Sequence, residues 1–506
     1  MNLYVYGSHD ASISILKDGE VYVYEIERFN KKRHSALTNN YEFITHLSTS
    51  ELIDLLNLIK NELKISKIDK CYYNQIFDRE FEIFKKYFDI NQFICYDHHE
   101  SHAANAFYQS KFSDSYIISF DGGGHNSDET VSFFTIWRGY ENQIVKLQDI
   151  KIDLGTPYML VGNMISDIRK NPKSVINLSN SGKLMGYSSY GTVNKDWIES
   201  FIKFYKTQDF GGFKEVGLNL IDNCLSGKIA QDFAATSQFV FEKIFFEIFN
   251  SLNIPSNSNI CLTGGCALNI LLNQKLISLG YNIYVPPNPN DCGLSLGALL
   301  SVNKVKYDNL QYKGFEILDE QSFKTKNVSV SNFDIASLLF EKNKILGYIE
   351  GKSECGPRAL GNRSIICYPN QLNLKNKLNE KIKFREWFRP FGAIIRLEDL
   401  NLFFENGVES PYMSFCPTLK LEYRFESITH IDNTCRIQTI TKHQHPNLYE
   451  ILSIIKEMGG IPILLNTSFN IKGRPILTRL SDAIECLNNS ELDGFVYKNK
   501  LYCNNE

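Results

Sequence analysis

The chain opens with alternating apolar and polar positions, the pattern of strands that bury one face. "LYVYG" leads into the polar turn "SHD", and "ASISILKDGEVYVYEIERF" follows with Asp18 and Gly19 in its middle. An Asp-Gly pair between alternating segments is typical of a hairpin turn. Residues 41–64 have helical spacing, and "DKCYYNQ" at 69–75 predicts a short strand. The pattern therefore predicts a strand, a turn, a hairpin, a helix and a further strand, in that order.

Glycine-rich turns follow buried strands further along the chain. The run "SYIISFDGGG" predicts a strand that ends at Asp121, and "NICLTGGCALN" at 259–269 predicts a second strand that leads into a helix. A third glycine-rich turn, "NDCGLSLGA", spans 290–298. Backbone N–H groups at such turns suit phosphate oxygens. We therefore predict an α/β protein with a split nucleotide-binding fold of the two-lobed actin/sugar-kinase type.

A polar connector separates these units from a new set of strands. Around 307–345 the pattern breaks into polar segments and a helix, "FDIASLLFEKN". Beyond it, "KILGYIEG", "GIPILLNTSFN" and "LDGFVYKNKLY" predict strands. Because 506 residues are too many for one hydrophobic core, we place a domain boundary near 325. The predicted domains are 1–325 and a smaller α/β domain over 326–506.

Composition and charge narrow the function classes. With 43% hydrophobic and 22% charged residues, the chain has the composition of a soluble globular protein. Its net charge of −3 gives no electrostatic case for a nucleic-acid partner or an anionic membrane. No apolar run approaches the ~18 residues of a membrane helix, and the start lacks the features of a signal peptide. The twelve cysteines include no C-x-x-C pair. We therefore expect a cytoplasmic protein with free thiols and no membrane partner.

Basic and amide side chains concentrate in the C-terminal part of the chain. "GKSECGPRALGNRSI" carries Lys352 and Arg358 among glycines. In "KFREWFRPFG", Arg385 and Arg389 are four apart, so both would project from one face of a helical turn. "LLNTSFNIKGRPI" adds Asn466 in a loop that ends a strand. Guanidinium forks match phosphate or carboxylate. A single arginine is better explained by a structural ion pair, whereas the two clusters together favour an anion site.

Histidines, aspartates and a lysine stand out in the N-terminal part. "DHHESHAANAF" places His98 and His102 four apart, where they either hold a metal on one helix face or simply begin a helix. Asp121 and Asp291 each either bind a cation or cap a turn. "SGKLMGYSSYG" puts Lys183 on a glycine-bounded loop, where a lone lysine is usually only solvated. The residue types alone leave these alternatives open.

Taken in order, these segments resemble the O-carbamoyltransferases of the nodulation-factor and antibiotic-tailoring type, and the resemblance covers nearly the whole chain. Its segments are "HDASISILKDGEVYVYEIERFNKKRHS", "HHESHAANAF", "FDGGG", "GKLMGYSSYG", "LTGGCALN", "DCGLSLGALL", "CGPRALGNRSI", "FREWFRPF" and "LLNTSFNIKGRPI". The run "GPRALGNRS" is the most specific of them. Its occurrence with the others in this order argues against chance.

This resemblance implies a two-domain enzyme. The N-terminal domain would be similar to the threonylcarbamoyl-transferase members of the actin/sugar-kinase superfamily, and the C-terminal domain to the one that makes threonylcarbamoyl-adenylate. In the family, carbamoyl phosphate is hydrolysed to carbamate at the C-terminal domain, and carbamate reacts with ATP at the N-terminal domain. The resulting carbamoyl-adenylate gives its carbamoyl group to a hydroxyl of a small-molecule or glycan acceptor, in natural-product or surface-glycan biosynthesis.

The resemblance also implies roles for individual residues. It assigns carbamoyl phosphate to a basic and amide set: Lys352, Arg358, Arg385, Arg389 and Asn466. It assigns the nucleotide to a mostly glycine set: Gly122, Gly123, Lys183, Gly186, Gly264, Gly265 and Asn269. It assigns catalysis at the acceptor to His9 and Asp10, with His9 as the base, since a neutral imidazole near pH 7 suits that task.

A divalent metal, often iron, is a further implication of the resemblance. Its ligands would be two histidines and two aspartates: His98, His102, Asp121 and Asp291. Such a set accepts several divalent ions, magnesium among them. The metal would offset charge that develops as pyrophosphate leaves. His99 points about 100° round the helix from His98, so we do not expect it to be a ligand.

Two other functions fit parts of the sequence. A tRNA threonylcarbamoyl-modifying enzyme would share both domains, but the chain lacks the basic balance expected for tRNA. A nucleotide-binding regulator without catalysis would have lost its ligands, yet the full set is present. The acceptor, the metal and the oligomeric state, a homodimer included, stay open. Cys355 departs from the family pattern before Gly-Pro-Arg, and we expect it only to pack.

Overall fold

A computed structural model of the chain describes residues 1–38, 44–65, 67–169, 177–218, 220, 224–320, 327–423 and 425–503. These residues form a mixed α/β structure with several sheets, so the predicted fold class is confirmed. They divide into two compact units, a first unit within 1–94 and 308–503 and a second unit within 95–307. The boundary predicted near 325 falls among 321–326, outside the described residues, and the predicted domain limits stay a prediction.

The N-terminal segment forms a five-stranded sheet in the order β3-β2-β1-β4-β5. Its strands are β1 (Asn2–Tyr6), β2 (Ser12–Lys17), β3 (Glu20–Glu25), β4 (Lys70–Asn74) and β5 (Gln92–Cys95). Strand β1 runs antiparallel to β2 and parallel to β4. Asp18 and Gly19 both have positive φ between β2 and β3, as the predicted hairpin turn requires.

Three helices accompany this sheet: α1 (Ile26–Asn30), α2 (Thr49–Leu63) and α3 (Asp78–Phe88). Helix α2 begins later than the predicted start at residue 41, because Ser48 and Glu51 form a reciprocal capping box there. Part of the predicted helix, 41–43, lies outside the described residues. The side chains of Leu52, Leu55 and Ile59 are fully buried, so α2 packs one apolar face into the core of this sheet.

The second unit contains a sheet of the same topology. Its strands are β6 (Asp114–His125), β7 (Val131–Tyr140), β8 (Gln143–Ile150), β9 (Asn259–Thr263) and β10 (Asn282–Tyr284), in the order β10-β9-β6-β7-β8. Here β6, β7 and β8 pair antiparallel and β6 pairs parallel to β9, as β1, β2, β3 and β4 do in the first sheet. Two sheets with one strand order agree with the predicted pair of related lobes.

The described residues of the second unit include seven α-helices: α4 (His98–Gln109), α5 (Gly155–Asn163), α6 (Asn180–Ser188), α7 (Ile198–Thr207), α8 (Gly227–Ser251), α9 (Ile270–Ser278) and α10 (Leu294–Asn303). Helix α4 packs closely on α10, where a Cβ on Gly297 would lie 2.0 Å from the carbonyl oxygen of Ser101. Since only glycine permits this approach, Gly297 sets the position of the helix that carries His98 and His102.

The C-terminal segment forms an eight-stranded sheet in the order β11-β20-β19-β12-β13-β18-β14-β17. Its strands are β11 (Val328–Ser329), β12 (Leu346–Ile349), β13 (Arg363–Cys367), β14 (Gly392–Arg396), β17 (Arg436–Ile440), β18 (Ile463–Ser468), β19 (Gly494–Tyr497) and β20 (Lys500–Tyr502). Strands β15 (Phe404–Glu405) and β16 (Thr418–Leu419) pair separately. Neighbouring Ile365 and Ile366 of β13 enter different core clusters, so this sheet is buried on both faces.

Five helices belong to the C-terminal segment: α11 (Asn332–Phe340), α12 (Leu374–Lys377), α13 (Leu400–Phe403), α14 (Pro446–Glu457) and α15 (Leu480–Asn488). Among the described residues, no helix is long and apolar enough to cross a membrane. None of the twelve cysteines forms a disulfide, in agreement with the prediction of free thiols.

Three local predictions were wrong. Lys183 and Gly186 lie on α6 rather than on a loop, because packing against α5 and α8 outweighs the low helix propensity of glycine. Arg385 and Arg389 are not on a helix, since left-handed backbone at Phe384, with a φ of 48°, ends the preceding helical turns. Asn466 lies within β18 rather than in the loop that follows it.

Candidate active sites

Helix α4 carries two histidines that face two carboxylates. His102 Nε2 lies 3.2 Å from Asp121 Oδ2 and 3.4 Å from Asp291 Oδ1. His98 Nε2 lies 3.7 Å from Asp291 Oδ1. One ligand atom from each of the four residues falls within 4.8 Å of the others. The structure therefore brings together all four residues of the predicted metal set.

Backbone groups hold these side chains in place. Asp121 Oδ1 accepts from the N–H of Gly122 at 2.6 Å, and its Oδ2 accepts from the N–H of Gly265 at 2.9 Å. Gly124 leaves room for the His98 ring, since a Cβ there would lie 2.1 Å from its Cγ. Asp291 begins the short turn that leads into α10. The ligand set is thus held by close glycine contacts and backbone donors.

Charge complementarity ties the histidines to the aspartates. Burial alone would lower the pKa of His102, but the adjoining carboxylates of Asp121 and Asp291 raise it to about 9. Burial likewise opposes ionisation of Asp121, yet His102 and His98 hold its pKa well below the usual range. Two imidazole nitrogens and two carboxylate oxygens, buried and converging, are a donor set that suits a divalent transition metal. The residues present therefore fit the metal that the resemblance implies.

His99 stands next to this cluster but faces elsewhere. Its Nδ1 lies 2.7 Å from Ser119 Oγ, and its Nε2 lies 2.9 Å from the carbonyl oxygen of Ser132. Burial, followed by the nearby His98 and His102, lowers the pKa of His99 well below its usual value. Both ring nitrogens are thus engaged by the surrounding sheet, which makes His99 a structural neighbour of the cluster.

Most residues of the predicted nucleotide set gather at the ends of β6 and β9. Gly122 and Gly265 donate to Asp121, and Gly264 has a φ of +87° with no room for a Cβ, which would lie 2.1 Å from the carbonyl oxygen of Phe120. Gly123 shares the left-handed φ region, at +110°. Gly122 and Gly265 use their N–H groups to hold Asp121, and the N–H of Gly264 donates to the carbonyl oxygen of Pro289 at 2.8 Å. Contact between these glycines and phosphate oxygens therefore stays a prediction.

The remaining members of the nucleotide set lie on other elements. Asn269 caps α9 by accepting from the N–H of Leu272 at 3.1 Å and exchanges hydrogen bonds with Gln238. Lys183 is buried on α6, and its Nζ donates to the carbonyl oxygen of Ile168 at 3.0 Å. Both residues therefore hold the structure together locally, and their nucleotide roles stay predictions.

Four arginines face one another in the C-terminal segment. Burial, followed by Arg436 and Arg389, lowers the pKa of Arg358 well below its usual range. Burial, followed by Arg389 and Arg436, lowers the pKa of Arg385, and burial, followed by Arg389, lowers that of Arg436 to about 10. The nearest carboxylate is Glu386, 3.5 Å from Arg389. Within the described part of the chain Arg358 has no hydrogen-bond or ion-pair partner. This concentration of positive charge is what an anionic ligand would neutralise.

Asn466 lies beside the loop that carries Arg358. Its Nδ2 donates to the carbonyl oxygen of Ala359 at 3.1 Å and to Gln438 Oε1 at 3.0 Å. Its buried Oδ1 has no hydrogen-bond partner in the part of the chain that the structure describes. Lys352 Nζ lies 4.4 Å from the centre of the Tyr22 ring. The structure thus joins Asn466 to the Arg358 loop and shows Lys352 against another partner.

Sequence reasoning missed two residues of this region. Arg436 lies on β17 outside every quoted motif, and only its position in the sheet reveals it. Glu354 lies within a quoted motif, and its Oε1 accepts from the N–H groups of Leu360, Asn362 and Arg363 at 2.7–3.0 Å. The glutamate therefore shapes the loop that follows. Cys355 is buried, and burial raises the pKa of its thiol, so it packs as expected.

The turn after β1 contains the predicted acceptor residues. Asp10 Oδ1 lies 2.8 Å from His34 Nδ1, and Asp10 Oδ2 lies 3.5 Å from His9 Nδ1. Asp10, Glu27 and His34 also bring three potential metal-ligand atoms within 4.8 Å of one another. The separation between Asp10 and His34 is that of a hydrogen bond. The arrangement is a carboxylate between two imidazoles, which suits proton transfer.

The fold and these clusters define an α/β protein with a metal-type centre and an arginine-lined anion site. Family models match in two parts, "Carbamoyltransferase N-terminus" over 56–300 and "Carbamoyltransferase C-terminus" over 336–503. The nodulation protein NolO of Bradyrhizobium diazoefficiens is 31% identical over 79% of this chain and 77% of its own length. An uncharacterized protein of Methanocaldococcus jannaschii is 30% identical over 99% of both chains. The chain belongs to the carbamoyltransferase family and is a carbamoyltransferase.

Among solved structures, full-length HypF in its phosphate- and nucleotide-bound form covers 60% of this chain and 55% of its own. It is 14% identical to this chain, with a TM-score of 0.37. That similarity is too low to bear on the fold, which rests on the strand order described above.

Proposed function

We propose that the protein is an ATP-dependent O-carbamoyltransferase. Carbamoyl phosphate is hydrolysed to carbamate and phosphate, and carbamate attacks the α-phosphate of ATP to give carbamoyl-adenylate and pyrophosphate. The carbamoyl group then passes to a hydroxyl of a small-molecule or glycan acceptor, and AMP is released. Natural-product or surface-glycan biosynthesis is the setting that the family resemblance implies.

The arginine cluster is the observation that carries this proposal. Burial and then neighbouring arginines, Arg389 among them in each case, lower the pKa of Arg358, Arg385 and Arg436. Among the described residues Glu386 is the one carboxylate paired to this group, through Arg389. A doubly charged acyl phosphate is the kind of ligand whose oxygens such forks bind bidentately. In the proposal these side chains bind the phosphoryl end of carbamoyl phosphate. The Asn466 amide faces the carbamoyl end, where its oxygen accepts from the carbamoyl NH₂.

The histidine–aspartate cluster supports the ATP-dependent step. His98, His102, Asp121 and Asp291 would hold a divalent ion, iron or another, next to the N–H groups of the Asp121 glycines. When bound, that ion supplies a positive charge for the phosphates of ATP. The protein contributes the imidazoles and carboxylates that would hold the ion, and a buried setting that excludes water.

At the acceptor, His9 is the proposed base. Its ring is partly exposed, and its Nδ1 lies 3.5 Å from Asp10 Oδ2; in the proposal its Nε2 takes the hydroxyl proton. The relative NolO is a nodulation protein, which supports an acceptor with free hydroxyls.

The test is donor activation without any acceptor. Purified protein is incubated with ATP, carbamoyl phosphate and a divalent metal, and phosphate and pyrophosphate are measured separately. We expect the wild type to release both, Arg358→Ala to lose phosphate release, and His98→Ala to keep phosphate release while losing pyrophosphate. Two substitutions serve as matched controls. Arg474→Ala removes an arginine that pairs with Glu485, and His443→Ala removes an exposed histidine.

Two results would reject the proposal. Release of neither product by a wild type that binds ATP would reject donor activation. Pyrophosphate release with threonine and bicarbonate in place of carbamoyl phosphate would point instead to the tRNA-type reaction.

A further inference from the structure

His34 is tied to the proposed acceptor residues although it lies 24 positions along the chain from Asp10. Its Nδ1 is 2.8 Å from Asp10 Oδ1, while the other carboxylate oxygen of Asp10 faces His9 Nδ1 at 3.5 Å. One carboxylate therefore meets a different imidazole with each of its oxygens. His34 thus has the contact that would fix the orientation of Asp10 toward His9.

The backbone at both partners is unusual. Asp10 has a φ of 56° and His34 a φ of 57°, a left-handed conformation that persists where surrounding contacts impose it. Those contacts are present, since Ala11 N–H donates to the carbonyl oxygen of Ser35 at 3.0 Å and His34 N–H donates to Glu27 Oε2 at 3.0 Å. The chain therefore holds two strained positions so that one carboxylate and one imidazole meet.

Only one of the two ring nitrogens of His34 has a hydrogen-bond partner among the described residues. His99, a structural histidine, pairs both of its ring nitrogens. His34 pairs Nδ1 with Asp10, whereas its buried Nε2 has no hydrogen-bond partner in the described ranges. Burial would raise the pKa of Asp10, but His34 and then His9 outweigh that effect and hold it well below its usual range. The Asp10 carboxylate is thus held ionised where it meets His34.

We propose that His34 is a positioning residue for proton transfer: it holds the Asp10 carboxylate so that Asp10 orients the base His9. This inference rests on the proposed function. With His9 Nδ1 directed at Asp10 Oδ2, 3.5 Å away, His9 Nε2 takes the proton of the acceptor hydroxyl as the hydroxyl oxygen bonds to the carbamoyl carbon. The bond from that carbon to the adenylate oxygen breaks, and AMP leaves with the bonding electrons. The proton then passes from His9 to solvent.

Other charged groups at this pair are few among the described residues. Glu27 accepts from the backbone of His34, and Arg28 Nε lies 3.8 Å from Glu27 Oε1 and 2.9 Å from Glu25 Oε2. Glu27, Arg28 and Glu25 are unchanged in the His34 variants that the test compares. Their effect on the pKa of His9 is therefore the same in each variant.

The test compares His34→Gly with His34→Asn and needs no acceptor. Both replacements suit left-handed backbone, but only asparagine keeps a donor near the position of Nδ1. NMR of protein with ¹⁵N-labelled histidine follows the tautomer and titration of His9, with His9→Gln used to assign its signals. We expect Nδ1-protonated His9 in the wild type and in His34→Asn. In His34→Gly we expect that preference to be lost and the pKa of His9 to fall by about half a pH unit or more, because its carboxylate is no longer oriented.

An identical tautomer and titration of His9 in His34→Gly and wild type would overturn the positioning role. If the glycine variant fails to fold, His34→Ala against His34→Asn makes the same comparison with Cβ retained. Pyrophosphate release by the wild type is measured on the same preparation. Its absence would reject the proposed function, whereas an unaltered His9 would reject this inference.

Discussion

Arg28 Nη2 donates to the carbonyl oxygen of Gly356 at 2.6 Å, across 328 positions of the sequence. The N–H of Gly356 in turn donates to Glu25 Oε1, and Glu25 pairs with Arg28 at 2.9 Å. Arg28 is fully buried. Because Gly356 lies two residues before Arg358, the end of β3 and the start of α1 anchor the loop of the proposed anion site.

Removing this anchor should cost stability. Arg28→Met leaves Glu25 buried without its cation. Burial raises the pKa of the Glu25 carboxyl, and Arg28 is the main group that opposes this effect. We expect the free energy of unfolding to fall by about 3–5 kcal/mol, the usual cost of breaking a buried ion pair. Urea denaturation measures it. Lys243→Met, which breaks an exposed helix pair with Glu247, is the control and should leave the midpoint unchanged. Equal effects in both variants would contradict the anchor.

The close approach of Gly124 to His98 gives a prediction about metal binding. In Gly124→Ala the new Cβ would overlap the imidazole at 2.1 Å, so the ring must move. We expect affinity for Co²⁺ or Zn²⁺ to fall about 10- to 100-fold, as when other supports of metal ligands are removed. Competition with a chromogenic chelator measures it.

Gly182→Ala is the matched control for that substitution. Gly182 lies on α6, and a Cβ there meets nothing within 4 Å. The control should keep full metal affinity and gain slightly in stability, since alanine favours a helix over glycine. Unchanged affinity in both variants would show that His98 does not need its present position to bind metal.

Arg436, which lies outside the motifs, should matter for carbamoyl phosphate. After burial, Arg436 is the largest cause that lowers the pKa of Arg358, and Arg389 in turn lowers the pKa of Arg436. The three guanidinium groups therefore interact with one another. We expect Arg436→Ala to raise KM for carbamoyl phosphate about 10- to 100-fold, the loss of one charge-assisted contact. Phosphate release against substrate concentration measures it. Arg474→Ala should keep the wild-type KM, and a similar KM in both variants would remove Arg436 from the site.

A buried histidine gives a prediction about pH. Burial lowers the pKa of His445, and Glu350 and Glu354 offset only part of that effect. The unfolded chain therefore takes up this proton first as the pH falls, so the free energy of unfolding should decline below about pH 6.5. Thermal denaturation between pH 8 and 5 should show a smaller decline in His445→Asn. His443→Asn, at an exposed position, should follow the wild type; the same slope in all three proteins would rule out His445 as the cause.

Sequence reasoning succeeded where a local repeat fixes geometry. The spacing of His98 and His102 predicts a shared helix face, and both do face the same carboxylates. Asp18 and Gly19 predict a hairpin because few other residues accept the required φ values. Asp121 reaches the histidines from β6 and Asp291 from the turn before α10, both distant in sequence, and only the family resemblance names them in advance.

Prediction from the sequence failed where contacts between residues distant in the chain determine the local structure. The spacing of Arg385 and Arg389 suggests a helix, yet left-handed backbone at Phe384 prevents one. Lys183 has glycine neighbours typical of a loop, but packing between helices makes that segment helical. Arg436 has no motif at all and meets the other arginines only through the order of strands in the large sheet.

The two five-stranded sheets share one order of strands, and the proposed chemistry stands at equivalent ends of their first strands. In the first sheet, His9 and Asp10 lie in the turn that follows β1. In the second sheet, Asp121 lies in the irregular part of β6 that follows Phe120. In the proposal, the same position in the two sheets therefore has two uses: it carries the proton acceptor in the first sheet and a metal ligand in the second. Exchanging the two short peptides would test whether the scaffold or the local sequence assigns the task.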